Sequence, residues 1–501
     1  MNPPRIGRTG LPLALAMALA LTACGGGSDD GGSNGGNNGG GVPVTPVWGD
    51  RIEPYDPSAG LFKRAAQADG AASKAQARAA AARTVALGAL GAQQVPTKAA
   101  TGPGVPIQIG QARGVAATAS AAATAALLNW QPTAHGTQVA ALRFVADGAR
   151  GVRLGVQVRA LPDGAVLRFY AAPGGEVVQV DAQALRALAE RNALAGATDA
   201  AARTYWSPDF GGPQTTLEVE IPAGAQRSAV DLAVPRLSHF TMTADEAETA
   251  LVPKIGEAGG CNVDVMCRPE YIDQSRSVAR MNFVSDDGGT FICNGTMLND
   301  AASSGTPYFL SASHCIATQQ EASSLVTEWF YRATSCRSLQ TNPGATRLTG
   351  GATLLYTSAG TDVAFMRLND RAPAGIVYAG SYFGGVATGA ALAGVHNPQG
   401  DLQKVSLGTM QRYSLCDNGS CFSSNADEGN FLTLNWQEGT TEMGSSGSAV
   451  FITIGDRRYV VGQLFGGTAS CTARDGVDYY GRFDTSYRAA LQRWLNPGAT
   501  R

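Results

Sequence analysis

A chain of 501 residues has room for two or three domains. Its formal net charge of −2 and pI near 6.1 exclude the strongly basic balance of a nucleic-acid-binding protein. With 63 glycines and only 16% charged residues, the composition favours β-rich exported architecture over helical bundles, and nine cysteines point to an oxidising compartment.

Arg5 and Arg8 precede an apolar run over 11–21, and Leu21-Thr22-Ala23 ends on Cys24. A charged start, a short apolar stretch and small residues describe an export signal over 1–23, too short to span a membrane as a mature helix. The Leu-Thr-Ala-Cys ending resembles a bacterial lipobox, which implies that Cys24 is lipidated and becomes the first residue. Gly25 in place of an aspartate implies the outer membrane. Residues 24–60 open with a Gly/Asn/Ser/Asp tract that buries no core and acts as a tether. About 18 residues of such chain span roughly 20–25 Å. The alanine-rich stretch 61–104 has a thin apolar face, equally compatible with a helix and with disorder.

Residues 105–254 change character. Apolar residues alternate over 139–144, 152–158, 165–170 and 216–221, with turn clusters such as Leu161-Pro162-Asp163-Gly164 between them. Period-two runs punctuated by Gly and Pro predict a β-sandwich. His135 and His239 lie here without partner motifs and read as surface or structural residues.

The last segment, 255–501, holds Cys261, Cys267, Cys293, Cys315, Cys336, Cys416, Cys421 and Cys471. An even number in an exported domain predicts four bridges, with connectivity left open. The spacing is wrong for zinc, and no metal or organic cofactor is called for. Strands are expected over 291–298, 308–312, 363–368, 431–436 and 460–465. Tyr487, Leu491, Trp494 and Leu495 fall on one face of a closing helix. The fold class is therefore mainly β: a two-barrel C-terminal domain with a terminal helix, preceded by the sandwich.

The chemistry centres on Gly444-Ser445-Ser446-Gly447-Ser448. A hydroxyl between two glycines, entered from a strand, is presented on a tight turn whose Gly444 and Ser446 amides can converge where an oxyanion would form. Upstream, Ser313-His314-Cys315 supplies a base and Thr361-Asp362-Val363 a carboxylate to orient it, in chain order His, Asp, Ser. His396, in Gly394-Val395-His396-Asn397-Pro398, is the rival base; it lacks a matching acidic partner and is read as structural.

These motifs, with Cys261-Asn262-Val263-Asp264-Val265-Met266-Cys267, Gly462-Gln463-Leu464-Phe465-Gly466-Gly467 and Asp478-Tyr479-Tyr480-Gly481-Arg482, resemble the lysyl endopeptidase branch of the trypsin-like (chymotrypsin-fold) serine proteases. Residues 105–250 resemble the β-rich region that precedes such domains. The resemblance implies a nucleophile at Ser446, a base at His314, an orienting acid at Asp362 and an oxyanion hole at Gly444 and Ser446. It implies substrate contacts at Phe465 and Gly466, and a cation-binding carboxylate at Asp478, since ordinary trypsins carry theirs where Thr440 stands here. Asp475 competes for that role but sits in a turn sequence. Implied bridges are Cys261–Cys471, Cys267–Cys336 and Cys293–Cys315; Cys416 and Cys421 remain for a local fourth. The family has a histidine at Phe465, stacked on a tryptophan, and no tryptophan lies between His396 and Phe431 to act as that partner. Ser445 replaces the aspartate that pairs with the freed amino terminus of trypsin-like zymogens, so activation by that ion pair is not expected; Lys254–Ile255 is a candidate self-cleavage bond.

From 255 onward the chain has one lysine, Lys404, against sixteen arginines, a bias that suits an enzyme that avoids cutting itself after lysine and that a GC-rich genome would equally produce. The expectation is a lipid-anchored, monomeric serine endopeptidase of the bacterial cell envelope acting on protein or peptide substrates. The alternative is a lipid-anchored surface binding protein with an inactive protease-like domain.

Overall fold

The computed structural model describes residues 49–58, 82–91, 102–241, 256, 258–417 and 419–498. The export signal, Cys24, most of the alanine-rich stretch and Lys254–Ile255 lie outside the described residues.

The alternating runs over 105–254 form two facing layers. One layer holds Arg83–Leu87, Gln131–Pro132, Gln138–Ala146, Val166–Tyr170, Val178–Asp181 and Gln214–Ile221, with Leu217 opposite Leu142. The other holds Ile107–Gly114, Val152–Ala160, Thr204–Trp206 and Asp231–Phe240. Because side chains alternate faces along a strand, Leu142, Phe144, Leu217 and Val219 of the first layer meet Leu154, Val156, Val234 and Leu237 of the second in one buried core.

The second layer does not stop at the sandwich. Ile107–Gly114 pairs antiparallel with Thr290–Leu298 of the C-terminal segment, Gly110 opposite Thr290 and Ile107 opposite Ile292. Eleven strands thus share one sheet across the two halves of the chain. Arg153 crosses the junction fully buried. It donates to Ser207 O within the sandwich, and to Asn282 Oδ1 at 2.9 Å and Ser324 O at 2.6 Å beyond it. Burial lowers its pKa to about 10, yet every guanidinium nitrogen has an acceptor.

The C-terminal segment has its two barrels. The first is open: Thr346–Leu348, Val326–Trp329, Val278–Val284 and Thr290–Leu298 run in order, then Tyr308–Ala312, Val363–Leu368 and Ala352–Ser358. The second closes, because Arg457–Gly467 pairs with both Ala449–Ile454 and Asp478–Arg482. Between the barrels lie Leu310, Phe365, Val395 and Phe451. The terminal helix caps this layer with Phe483, Tyr487, Leu491 and Leu495, and Trp494 leans on Phe365. It runs from Phe483 to Leu495 and loosens to π geometry over Tyr487–Leu491. No helix among the described residues is long and apolar enough to cross a membrane.

The eight cysteines of the C-terminal segment all pair: Cys261–Cys471, Cys267–Cys336, Cys293–Cys315 and Cys416–Cys421. The last bridge closes a hairpin in which Cys416 and Cys421 are direct cross-strand partners.

Candidate active site

His314 leaves the end of strand Tyr308–Ala312, and the neighbouring Cys315 is tied to Cys293 on the adjacent strand. Those two sulfurs lie near the imidazole but are joined to one another, so neither offers a thiolate to a metal ion. Asp362 sits one residue before strand Val363–Leu368 with φ +49°, a conformation uncommon for a residue with a side chain. It is held there from several sides. Gln463 Nε2 donates to its carbonyl and Ser313 N–H does the same, while Oδ1 receives Ser313 Oγ–H and His314 N–H at 2.9 Å each. With Oδ1 occupied, Oδ2 faces His314 Nδ1 at 2.7 Å. A carboxylate there fixes the Nδ1–H tautomer and leaves Nε2 as the basic nitrogen.

Ser446 stands on a turn framed by Gly444 at φ +87° and Gly447 at φ +79°. A Cβ on Gly447 would lie 2.4 Å from Asn294 O and from Ser311 Oγ, so the turn presses against the strand that leads to His314. Asn294 clamps it further, its N–H donating to Ser446 O and its Nδ2 to Gly444 O. From beneath, His396 Nδ1 bonds Ser445 Oγ and Nε2 bonds Ser406 Oγ, both at 2.9 Å. Burial, with Lys404 nearby, pushes His396 down to about 3, so it stays neutral at working pH. The rival histidine is thus a strut under the turn.

The Ser445 and Gly447 amides are used internally, by Glu442 O and Leu464 O. The amides of Gly444 and Ser446 find no acceptor among the described residues, leaving two free donors beside the hydroxyl. His314 Nε2 is buried and likewise unpartnered, so the serine–imidazole hydrogen bond is not formed in this structure. Such contacts often tighten only when substrate is bound.

One cavity of about 280 Å³ joins Ser446 to Asp478, with Thr441, Leu464 and Gly467 in its wall. Asp478 is 1% exposed and opens strand Asp478–Arg482. Trp436 Nε1–H and Thr441 Oγ1–H both donate to its Oδ2 at 2.6 Å. Burial outweighs these bonds and raises its pKa to about 6. Asp475 is exposed on a turn, away from this wall. Phe465 meets His314 edge-on at 5.9 Å between centroids and Phe431 at 5.3 Å. Phe465 thus flanks the imidazole, with Phe431 packed against its ring, where the resemblance implied a histidine–tryptophan stack. Trp436, Thr441, Asn294 and Phe431 were not singled out from sequence. Only Trp436, a lone indole on a predicted strand near the turn, carried a usable signal. Of the other histidines, His135 is exposed and His239 is buried against Arg113.

Barrels meeting at a His–Asp pair, with a glycine-framed serine beside them, define a trypsin-like serine peptidase. The chain belongs to the lysyl endopeptidase family. Residues 65–241 match the model of the lysyl endopeptidase N-terminal domain, and residues 255–481 that of the C-terminal domain. A lysyl endopeptidase of Pseudomonas aeruginosa is 31% identical over 410 residues, covering 79% of this chain and 82% of that protein. Among solved structures, the Rv3671c protease from M. tuberculosis in its active form is similar at 15% identity, 50% of this chain, 93% of that chain and TM-score 0.31. The MamO protease domain from Magnetospirillum magneticum is similar at 12% identity, 44% and 98% coverage and TM-score 0.30.

Proposed function

We propose that this peptidase hydrolyses peptide bonds after lysine through an acyl-enzyme. The supporting observation is a fully buried carboxylate, Asp478, at one end of the cavity whose other end holds Ser446. A long cation reaching Asp478 places the following carbonyl beside the hydroxyl. Ser446 Oγ attacks that carbonyl carbon while His314 Nε2 takes the proton. Asp362 stabilises the imidazolium across the 2.7 Å contact, and the Gly444 and Ser446 amides receive the oxyanion. The C–N bond then breaks as the imidazolium returns its proton to the departing amine. Water, deprotonated by His314, releases the acid and restores the hydroxyl. None of these steps calls on a metal or organic cofactor.

Lysine is favoured over arginine by a carboxylate whose Oδ2 is already committed to two donors, leaving too little acceptor capacity for a planar bidentate fork. Anchoring through Cys24 to the outer membrane, a monomeric state and maturation at Lys254–Ile255 belong to the same reading and rest on the sequence. Mapping the bonds cut in a denatured protein by the purified enzyme tests the assignment. Cleavage after lysine supports it. Cleavage equally after arginine removes the lysine preference, and no cleavage leaves the surface binding protein.

A further inference from the structure

An oxyanion hole works only while its N–H groups point inward, and for Gly444 that direction belongs to the peptide plane it shares with Met443. In a trans peptide the carbonyl and the N–H point opposite ways. Holding Met443 O therefore aims Gly444 N–H, and Gln399 N–H donates to that oxygen at 2.6 Å. Gln399 is itself in an uncommon conformation, φ +54° within the turn Pro398–Gly400. Both ends of that turn are fastened. At one end, Asn397 N–H donates to Asn294 Oδ1 at 3.0 Å and its Nδ2 to Asp401 O at 2.8 Å. At the other, the Asp401 carboxylate is 1% exposed and has partners on both oxygens. Its Oδ1 accepts from Gly256 N–H at 2.8 Å and from Leu402 N–H at 2.6 Å. Its Oδ2 accepts from Ala258 N–H at 3.2 Å and faces Lys404 Nζ at 3.4 Å.

We propose that Asp401 is a positioning residue for the oxyanion hole. Its carboxylate ties the start of the peptidase segment, at Gly256 and Ala258, to the turn whose Gln399 N–H holds Met443 O. It thereby supplies a fastening that Ser445, with no charge, cannot. The role rests on the serine-peptidase reading of the site but not on its lysine preference. Asp401 does not line the cavity, so it acts through the turn and not on the substrate. With the carboxylate gone, Gln399 is free to leave its left-handed conformation, and the bond to Met443 O goes with it. The Met443–Gly444 plane then turns over part of the time, putting a carbonyl oxygen where the donor should be.

The test compares Asp401→Asn and Ala258→Pro in the full chain, with kcat taken per active site counted by fluorophosphonate labelling. Asp401→Asn puts an amide where Ala258 N–H and Lys404 need an acceptor. Ala258→Pro removes one donor and leaves the buried carboxylate in place. If the released turn leaves the hole formed one-tenth of the time, Asp401→Asn lowers kcat on a small uncharged ester about tenfold. Ala258→Pro should lower it in the same direction and by less. A pair of inhibitors reads the hole directly: a short peptide aldehyde, whose adduct with Ser446 carries an oxyanion, and the alcohol of the same sequence, which forms none. The aldehyde's advantage over the alcohol should fall by the same factor as kcat, since an analogue of the transition state loses what the transition state loses. Asp484→Asn, at a buried carboxylate paired with Arg482, should lower the melting temperature and leave both readings unchanged. Should Asp401→Asn and Ala258→Pro likewise melt lower yet keep kcat per site and the aldehyde's advantage, Asp401 is merely structural, with the peptidase assignment intact. If Asp401→Asn does not fold, Ala258→Pro decides alone. An unaltered chain that neither labels nor turns over the ester removes the serine reading, and the positioning role falls with it.

Discussion

Burial raises the Asp478 carboxyl to about 6 even though Thr441 and Trp436 donate to it. An unfolded aspartate titrates near 3.8. Between those values the folded chain binds the extra proton, so this group's contribution to stability is full below about pH 3.8 and is lost as pH rises through 6. Above pH 6 the empty pocket holds a costly charge, on the order of 3 kcal/mol by the unit-to-energy conversion. Asp478→Asn is therefore expected to unfold at higher denaturant concentration at pH 8, with the difference shrinking by pH 4. The same variant should lose about 10²–10⁴ in kcat/KM on lysyl amides, because a bound ammonium then lacks its countercharge. Hydrolysis of a small uncharged ester should change less than about tenfold. Asp475→Asn, at an exposed turn, should alter none of these. Around the hydroxyl, Ser446→Ala and His314→Ala should each lower kcat by about 10⁴–10⁶ at unchanged unfolding midpoint. His396→Ala should show the reverse: a lower melting temperature with most activity kept in the folded fraction, since its ring supports Ser445 and Ser406 without facing the cavity.

At the scale of elements, the pocket is made by two paired strands, Arg457–Gly467 and Asp478–Arg482, whose register shifts between Leu464 and Gly466. The shift leaves Gly467 opposite Asp478, where a Cβ would stand 2.4 Å from Asp478 Oδ1 and 2.1 Å from Val477 O. Only glycine leaves the carboxylate its place. Gly467→Ala should raise KM for lysyl substrates at least about tenfold by displacing Asp478, with neutral-ester turnover largely kept, since a misplaced group about 1 Å off costs on that order or more. Steady-state kinetics on both substrates separates this from general loss of folding. The loop between the two strands is tied by Cys471 to Cys261, and Glu442 accepts from Gly259 N–H and Asn262 Nδ2. The start of the C-terminal segment is thereby fastened to the turn before Ser446 without the aspartate ion pair that Ser445 cannot form.

For the whole molecule, the decisive contact is the shared sheet. Thr290–Leu298 gives its first residues to Ile107–Gly114 and its last three to Tyr308–Ala312, so a sandwich and an open barrel share one strand edge. Arg153 makes this junction specific: without it, Asn282 Oδ1 and Ser324 O are buried with one fewer donor. Arg153→Met keeps the volume but leaves those acceptors unpaired, a cost of about 1–3 kcal/mol each. The full chain should lose thermal stability, and after proteolytic nicking the two halves should separate faster on size exclusion. Unchanged co-elution and melting would show that strand pairing alone carries the junction.

Local sequence determined most of the parts. Period-two alternation placed strands at 139–144 and 152–158, and short apolar runs placed those at 308–312 and 363–368, because burial leaves that imprint whatever the partner. Gly444 and Gly447 announced a turn because only glycine fits its backbone, and four histidines left few choices of base. Family motifs supplied what spacing could not, including three of the four bridges. Tertiary structure decided the rest, because it depends on which distant residues meet. Trp436 and Thr441 reach Asp478 only once strands Phe431–Glu438 and Asp478–Arg482 are in register. Phe431 meets Phe465, which in turn meets His314, across the barrel wall, where no local pattern could announce it. The edge of Thr290–Leu298 was an ordinary strand edge in the sequence. Main-chain hydrogen bonds accept almost any residue, so its joining to Ile107–Gly114 was legible only in the folded chain.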